Sequence, residues 1–148
     1  MFRALLLVAL ALSASCTSVP HHHGDHDTRC PILIKVLDAL KGTPAANVQV
    51  EMLKRNEDKT WQSINTGVTG RNGELHNLTS EEHLAVGLYK LHFETGAYWS
   101  NAGQAHFHEC ANVAFRVASL TSDHYTIAVL LSPYSYSTTG IVMNPHET

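Results

Sequence analysis

From Arg29 onward apolar and polar positions alternate with the period of a β-strand, in which successive side chains point to opposite faces. Ile32, Ile34 and Val36 interleave with Leu33, Lys35 and Leu37, so both faces of the first predicted strand are apolar except at Lys35. Lys41-Gly42-Thr43-Pro44 reads as a turn. Val48 to Leu53 and Thr60 to Thr69 then predict two strands around the polar loop Arg55 to Lys59, and Arg71-Asn72-Gly73 marks another turn. Gly87 to Phe93 and Ala111 to Val117 predict further strands, and Tyr125 to Pro145 supplies two more around Ser132-Pro133-Tyr134-Ser135. Seven or more short strands separated by turns define an all-β fold, a β-sandwich. Glu94 to Gly103 is the exception: Thr95 as N-cap, with Ala97, Trp99 and Ala102, predicts a short helix, a loop being the alternative.

The last two strands carry small hydroxyl or apolar residues on one face: Thr126, Ala128 and Leu130, then Ser137 and Thr139. Together with Leu33, Lys35 and Leu37 they form a second surface in addition to the sandwich core. A contiguous apolar face on a monomer marks an interface or a ligand site. Association of copies about a shared cavity satisfies both. Lys35 and Glu74 would then be charges at the cavity mouth, suited to a ligand with an acidic and a basic end.

Composition narrows the setting. The 148 residues fit one domain after removal of a leader. Residues 1–19 read as a secretory signal, with Arg3, an apolar run from Ala4 to Leu12 and small residues at Ser13-Ala14-Ser15-Cys16. The cut is expected between positions 14 and 19. The apolar run is shorter than the roughly 20 residues that span a bilayer, so secretion is the expectation. Residues 20–29 form a flexible histidine-rich arm, and the domain runs from 30 to 148. Cys16, Cys30 and Cys110 are too few for a disulfide scaffold; a Cys30–Cys110 bridge, free thiols and metal-bound thiols all stay open. A net charge of -3 with scattered lysines and arginines excludes nucleic acid as a partner.

Eleven histidines stand out. His21, His22, His23 and His26, beside Asp25 and Asp27, can gather zinc, copper or nickel, or form a solvated tail with only weak affinity. His106, His108 and Cys110 are spaced by two, which on an extended segment puts them on one face with donors that suit zinc. The alternative for His108 is a buried hydrogen-bond network. Asn77-Leu78-Thr79 is an N-glycosylation acceptor sequence.

The motifs Cys30-Pro31, Lys35-Val36-Leu37-Asp38-Ala39, Gly73-Glu74-Leu75-His76, Tyr98-Trp99, Phe107-His108-Glu109 and Leu130 to Thr139 resemble the transthyretin family, from about Cys30 to Glu147. The resemblance implies an eight-stranded β-sandwich with one short helix, assembled as a homotetramer whose central channel binds thyroxine or triiodothyronine. It implies Lys35 and Glu74 at the mouth, Leu37, Ala128 and Leu130 around the iodine atoms, and Ser137 and Thr139 at the inner end. Thr126 and Leu33 line the same face, with Leu33 standing where the family often has methionine. Cys30 and His76 are implied to approach the region of His106 to Cys110 and would add donors to a zinc site there; zinc bound there or at the arm would modulate hormone binding, and no cofactor is required. The superfamily's 5-hydroxyisourate hydrolases carry histidine at Lys35 and Thr126, arginine at Glu74, and Tyr-Arg-Gly-Ser at Thr139 to Val142, so every one of those positions departs and no enzyme is expected. Some members also bind retinol-binding protein around Leu40, Lys41, Tyr98 to Ala105 and Tyr134. Here Ala102, Gln104 and Ala105 replace that surface's larger or different residues.

Overall fold

The computed structural model describes residues 30–118 and 123–143, so the expected leader and histidine-rich arm lie outside the described residues. Strands β1 (Ile32–Asp38), β2 (Thr43–Pro44), β3 (Gln49–Arg55), β4 (Trp61–Val68), β5 (Glu74–Leu75), β6 (Gly87–Phe93), β7 (Ala111–Val117), β8 (His124–Ser132) and β9 (Ser135–Met143) form two sheets, with helix α1 (Thr95–Asn101) after β6. One sheet runs β2-β1-β8-β9 with β5 also paired to β1; the other runs β4-β3-β6-β7. The eight expected strands are present. The ninth, β2, has only two residues, too few to show an alternation, and forms because the turn after Asp38 folds Thr43 and Pro44 back onto β1.

Alternation explains the sandwich. In β1 and β8 the odd set of one and the even set of the other turn inward: Ile32, Ile34, Val36, Tyr125, Ile127, Val129 and Leu131 are buried. They meet Val50, Met52, Tyr89, Leu91 and Phe93 from β3 and β6 in a single core, closed at one end by Trp99 of α1. Each strand therefore anchors by one face and leaves the other available. Parallel pairing of β1 with β8 joins distant parts of the chain, Leu33 opposite Thr126, Lys35 opposite Ala128 and Leu37 opposite Leu130. β8 and β9 form a hairpin about the expected turn, with Ser132 opposite Ser135.

The helix forms where expected, but its N-cap is Glu94, not Thr95, and no side chain caps it. Thr95 is drawn into the core at 2% exposure, and its hydroxyl is buried without a partner among the described residues. Gly96 is needed there, because its N–H bonds the Glu109 carbonyl at 2.8 Å and a Cβ would press into the Glu109 backbone. Cys30 and Cys110 are both free thiols, which removes the bridge left open by the sequence.

Candidate functional site

The outward faces of β1, β8 and β9 assemble a three-by-three array by register alone. Leu33, Thr126 and Ile141 form one row, Lys35, Ala128 and Thr139 the next, and Leu37, Leu130 and Ser137 the third. Leu37 and Leu130 are 37% and 42% exposed, large values for leucines on strands whose other face is core. Every residue of β9 is exposed, and among the described residues its outer edge pairs with no strand. A nine-residue unprotected edge with Ile141, Val142 and Met143 is a template for another chain.

At one border of the array Lys35 lies opposite Glu74 of β5. Its Nζ is 3.1 Å from Glu74 Oε1 and donates to the Asn72 carbonyl at 2.7 Å. Asn72, expected from the sequence only as part of a turn, is also a site residue: its Nδ2 donates to Glu74 Oε2 at 2.7 Å, while its Oδ1 accepts the Glu74 N–H at 3.1 Å. The signal was the Asn-Gly pair two residues before a glutamate, where an asparagine side chain can hold the backbone two residues on. Gly73 makes the turn possible. It has φ 74°, and a Cβ there would run into the Val36 carbonyl. Its own carbonyl accepts the Val36 N–H at 2.8 Å, which fixes β5 beside Lys35.

His76 completes the cluster, with Nε2 3.3 Å from Glu74 Oε2. Partial burial acts to raise the Glu74 carboxyl, but hydrogen bonds from Lys35 and His76 and the charges of both outweigh it and hold the group below its ordinary value. A carboxylate and an ammonium, each about a quarter exposed, thus stand ready at the edge of a neutral surface. They can take a carboxylate and an amine in exchange for each other.

Among the described residues no three His, Cys, Asp or Glu side chains are grouped to hold a metal ion. Cys30 donates its S–H to Asn77 Oδ1 at 2.7 Å while His76 is engaged with Glu74. His106, His108 and Cys110 lie on the segment between α1 and β7, which bends at Phe107 and Glu109. His106 pairs with Glu109 at 3.2 Å, His108 packs edge-on against Phe107 and Tyr136, and Cys110 lies against the Asn112 amide. The His108 Nδ1 is buried without a partner among the described residues. His21, His22, His23 and His26 lie outside the described residues.

Two sheets, a bare outward face and a charged pair at its border define a β-sandwich of the binding-protein type, with a surface built to be covered. The sequence profile of the HIUase/Transthyretin family matches residues 32–139. Transthyretin of Aquarana catesbeiana is 44% identical over 142 residues, covering 96% of this chain and 93% of that one. The crystal structure of transthyretin from Sparus aurata superposes with a TM-score of 0.75 at 47% identity, covering 78% of this chain and 99% of that one. A sea bream transthyretin in complex with thyroxine superposes with a TM-score of 0.76 at 47% identity, covering 80% and 100%. The chain belongs to the HIUase/Transthyretin family.

Proposed function

We propose that this chain is an extracellular carrier of thyroid hormone that binds thyroxine or triiodothyronine reversibly in the central channel of a homotetramer. The observation that carries the reading is the neutral three-strand array bordered by the Lys35–Glu74 pair. The thyroxine complex of the sea bream protein supports the ligand class. On one chain the array is an open face, so a second copy laid against it is what encloses a ligand, and the free β9 edge supplies a means for copies to pair. Four copies satisfy both surfaces at once.

The binding step follows from the side chains. The ligand's amino-acid end is a zwitterion, so it can divide the Lys35–Glu74 pair, Lys35 taking its carboxylate and Glu74 its ammonium, without leaving either charge alone. Leu37, Ala128 and Leu130 receive the iodinated rings, whose transfer from water drives the association. Ser137 and Thr139 face the same side and offer hydroxyls to the phenolic end, with Thr126 and Leu33 closing the array.

Carriage rather than catalysis agrees with the array. Lys35, Glu74 and Thr126 occupy the positions where the hydrolases of the superfamily carry proton-moving or cationic groups, and Thr126 and Ala128 offer no base near neutral pH. Titration calorimetry with thyroxine and triiodothyronine is expected to show saturable binding at micromolar or tighter affinity, about -8 kcal/mol or better. No saturation with either hormone overturns the reading. A ureide absorbance assay with 5-hydroxyisourate is expected to show no turnover above the uncatalysed rate.

A further inference from the structure

The sequence Asn77-Leu78-Thr79 follows β5 directly, and the fold treats its three residues differently. Leu78 is buried at 3% exposure and its carbonyl accepts the Asn65 side-chain amide at 3.3 Å, so it pins the segment to β4. Asn77 is exposed and adopts φ 64°, a left-handed conformation that asparagine tolerates. Its Oδ1 accepts the Cys30 S–H at 2.7 Å. Because the amide is planar and its oxygen corner is held by sulfur, Nδ2 occupies the opposite corner, and no hydrogen bond engages it among the described residues. Beside it lies an open cleft of about 500 Å³ lined by Ile64, Asn65, Asn77, Leu78, Ser80 and His83. The volume falls within the roughly 300–1,000 Å³ range of small-ligand sites.

We propose that Asn77 is the acceptor of an N-linked glycan whose first sugar seats in this cleft. The inference rests on the secretory reading above, since the donor is a lipid-linked oligosaccharyl diphosphate found in the secretory pathway. Transfer forms a bond between Asn77 Nδ2 and the anomeric carbon of the first N-acetylglucosamine. The bond from that carbon to the diphosphate oxygen breaks, the lipid diphosphate leaves, and Nδ2 gives up one proton. Only Nδ2 reacts. The product is still an amide with a free carbonyl, so folding can restore the Cys30 hydrogen bond after modification. The cleft offers Ile64, 41% exposed, as an apolar floor, and at its wall the Asn65 amide, held to the Leu78 carbonyl, and the Ser80 hydroxyl and His83 Nδ1, 2.7 Å apart, whose remaining donor and acceptor positions can meet sugar hydroxyls and the acetamide.

The test is expression of the full chain in mammalian secretory cells held to high-mannose glycans, comparing wild type with Thr79→Ala and Asn77→Gln. Wild type is expected in the medium as a slower band that collapses with peptide N-glycosidase F, leaving the Asn77→Asp mass signature; both variants are expected in the medium without it. Exported chain with unmodified Asn77 overturns the glycan and leaves the carrier reading intact, whereas a chain that is never exported overturns both. For the cleft, trimming to the first sugar with endoglycosidase H is expected to keep the Tm of the glycoprotein, above that of sugar-free wild type made under an inhibitor of glycan transfer, which retains the Asn77 amide. Equal Tm values for trimmed and sugar-free protein overturn the seating.

Discussion

The two sheets present opposite kinds of outward face. On the four-stranded sheet, register brings Glu51, His92 and Asn112 into one row and Leu53, Lys90 and Ala114 into the next. His92 hydrogen-bonds Asn112 at 2.8 Å and Glu94 at 3.1 Å, and the Lys90 ammonium sits 4.5 Å from the centre of the Trp61 ring. That face meets water with its polar groups engaged. On β1, β8 and β9 the equivalent rows are neutral except for Lys35, whose partner Glu74 stands at the border. Both sheets bury one face equally well, so the core does not distinguish them. What distinguishes them is the second face, and a surface left bare of charge while its counterpart is charged is one meant to lose its water.

The sharpest way to break this contrast is to put a charge in each face. Leu130→Asp is expected to abolish tetramer in analytical ultracentrifugation and to weaken thyroxine binding by more than about 100-fold, near 3 kcal/mol, because the carboxylate would be buried without a partner. Ala114→Asp on the other sheet is expected to change stability and binding by no more than about 0.5 kcal/mol, since it is exposed and lies opposite Lys90. Equal effects would mean that the neutral face is not specially covered.

A smaller effect concerns the charged border. Lys35→Met keeps the apolar stem and removes the ammonium; it is expected to weaken thyroxine about tenfold by calorimetry, near 1.4 kcal/mol. Glu74→Gln is expected to weaken thyroxine less, and to leave the affinity of a deaminated analogue unchanged. Loss of both ligands alike would assign Glu74 to the fold rather than to the amine.

Smaller again is the pH dependence of the same carboxyl. Its value in the folded chain lies below the ordinary glutamate value of about 4.5, so its contribution to stability is complete above that value and is lost as the pH falls through the lowered one. Denaturant midpoints measured down to pH 3 are expected to fall less steeply in Glu74→Gln than in wild type, and superimposable profiles would show that Lys35 and His76 do not hold the carboxylate.

Much of this was legible in the chain because strands with one buried face write themselves as alternation. Ile32, Ile34 and Val36 against Leu33, Lys35 and Leu37 declared two faces, and Thr126 to Thr139 declared the hairpin with its small residues on one side. The parallel pairing of β1 with β8 was not written there, because alternation says nothing about which distant strand will be the neighbour. Asn72 was hidden for another reason: a turn sequence reports backbone geometry, and only the fold shows that the same side chain also holds Glu74. The spacing of His106, His108 and Cys110 does not reveal that the Gly96 N–H bonds the Glu109 carbonyl, which ties that segment to the start of α1.

The mildest expectation lies on the charged face. Lys90→Leu removes the ammonium from the Trp61 ring and leaves apolar bulk in its place, so the loss is limited to the cation–π attraction, about 0.5–1 kcal/mol in a denaturant titration. Hormone affinity is expected to stay at the wild-type value, because the side chain points away from the core on the sheet that does not carry the array. A drop in affinity would mean that the two outward faces are coupled through the core. The division of labour between solvated sheet and ligand-covering sheet would then have to be abandoned.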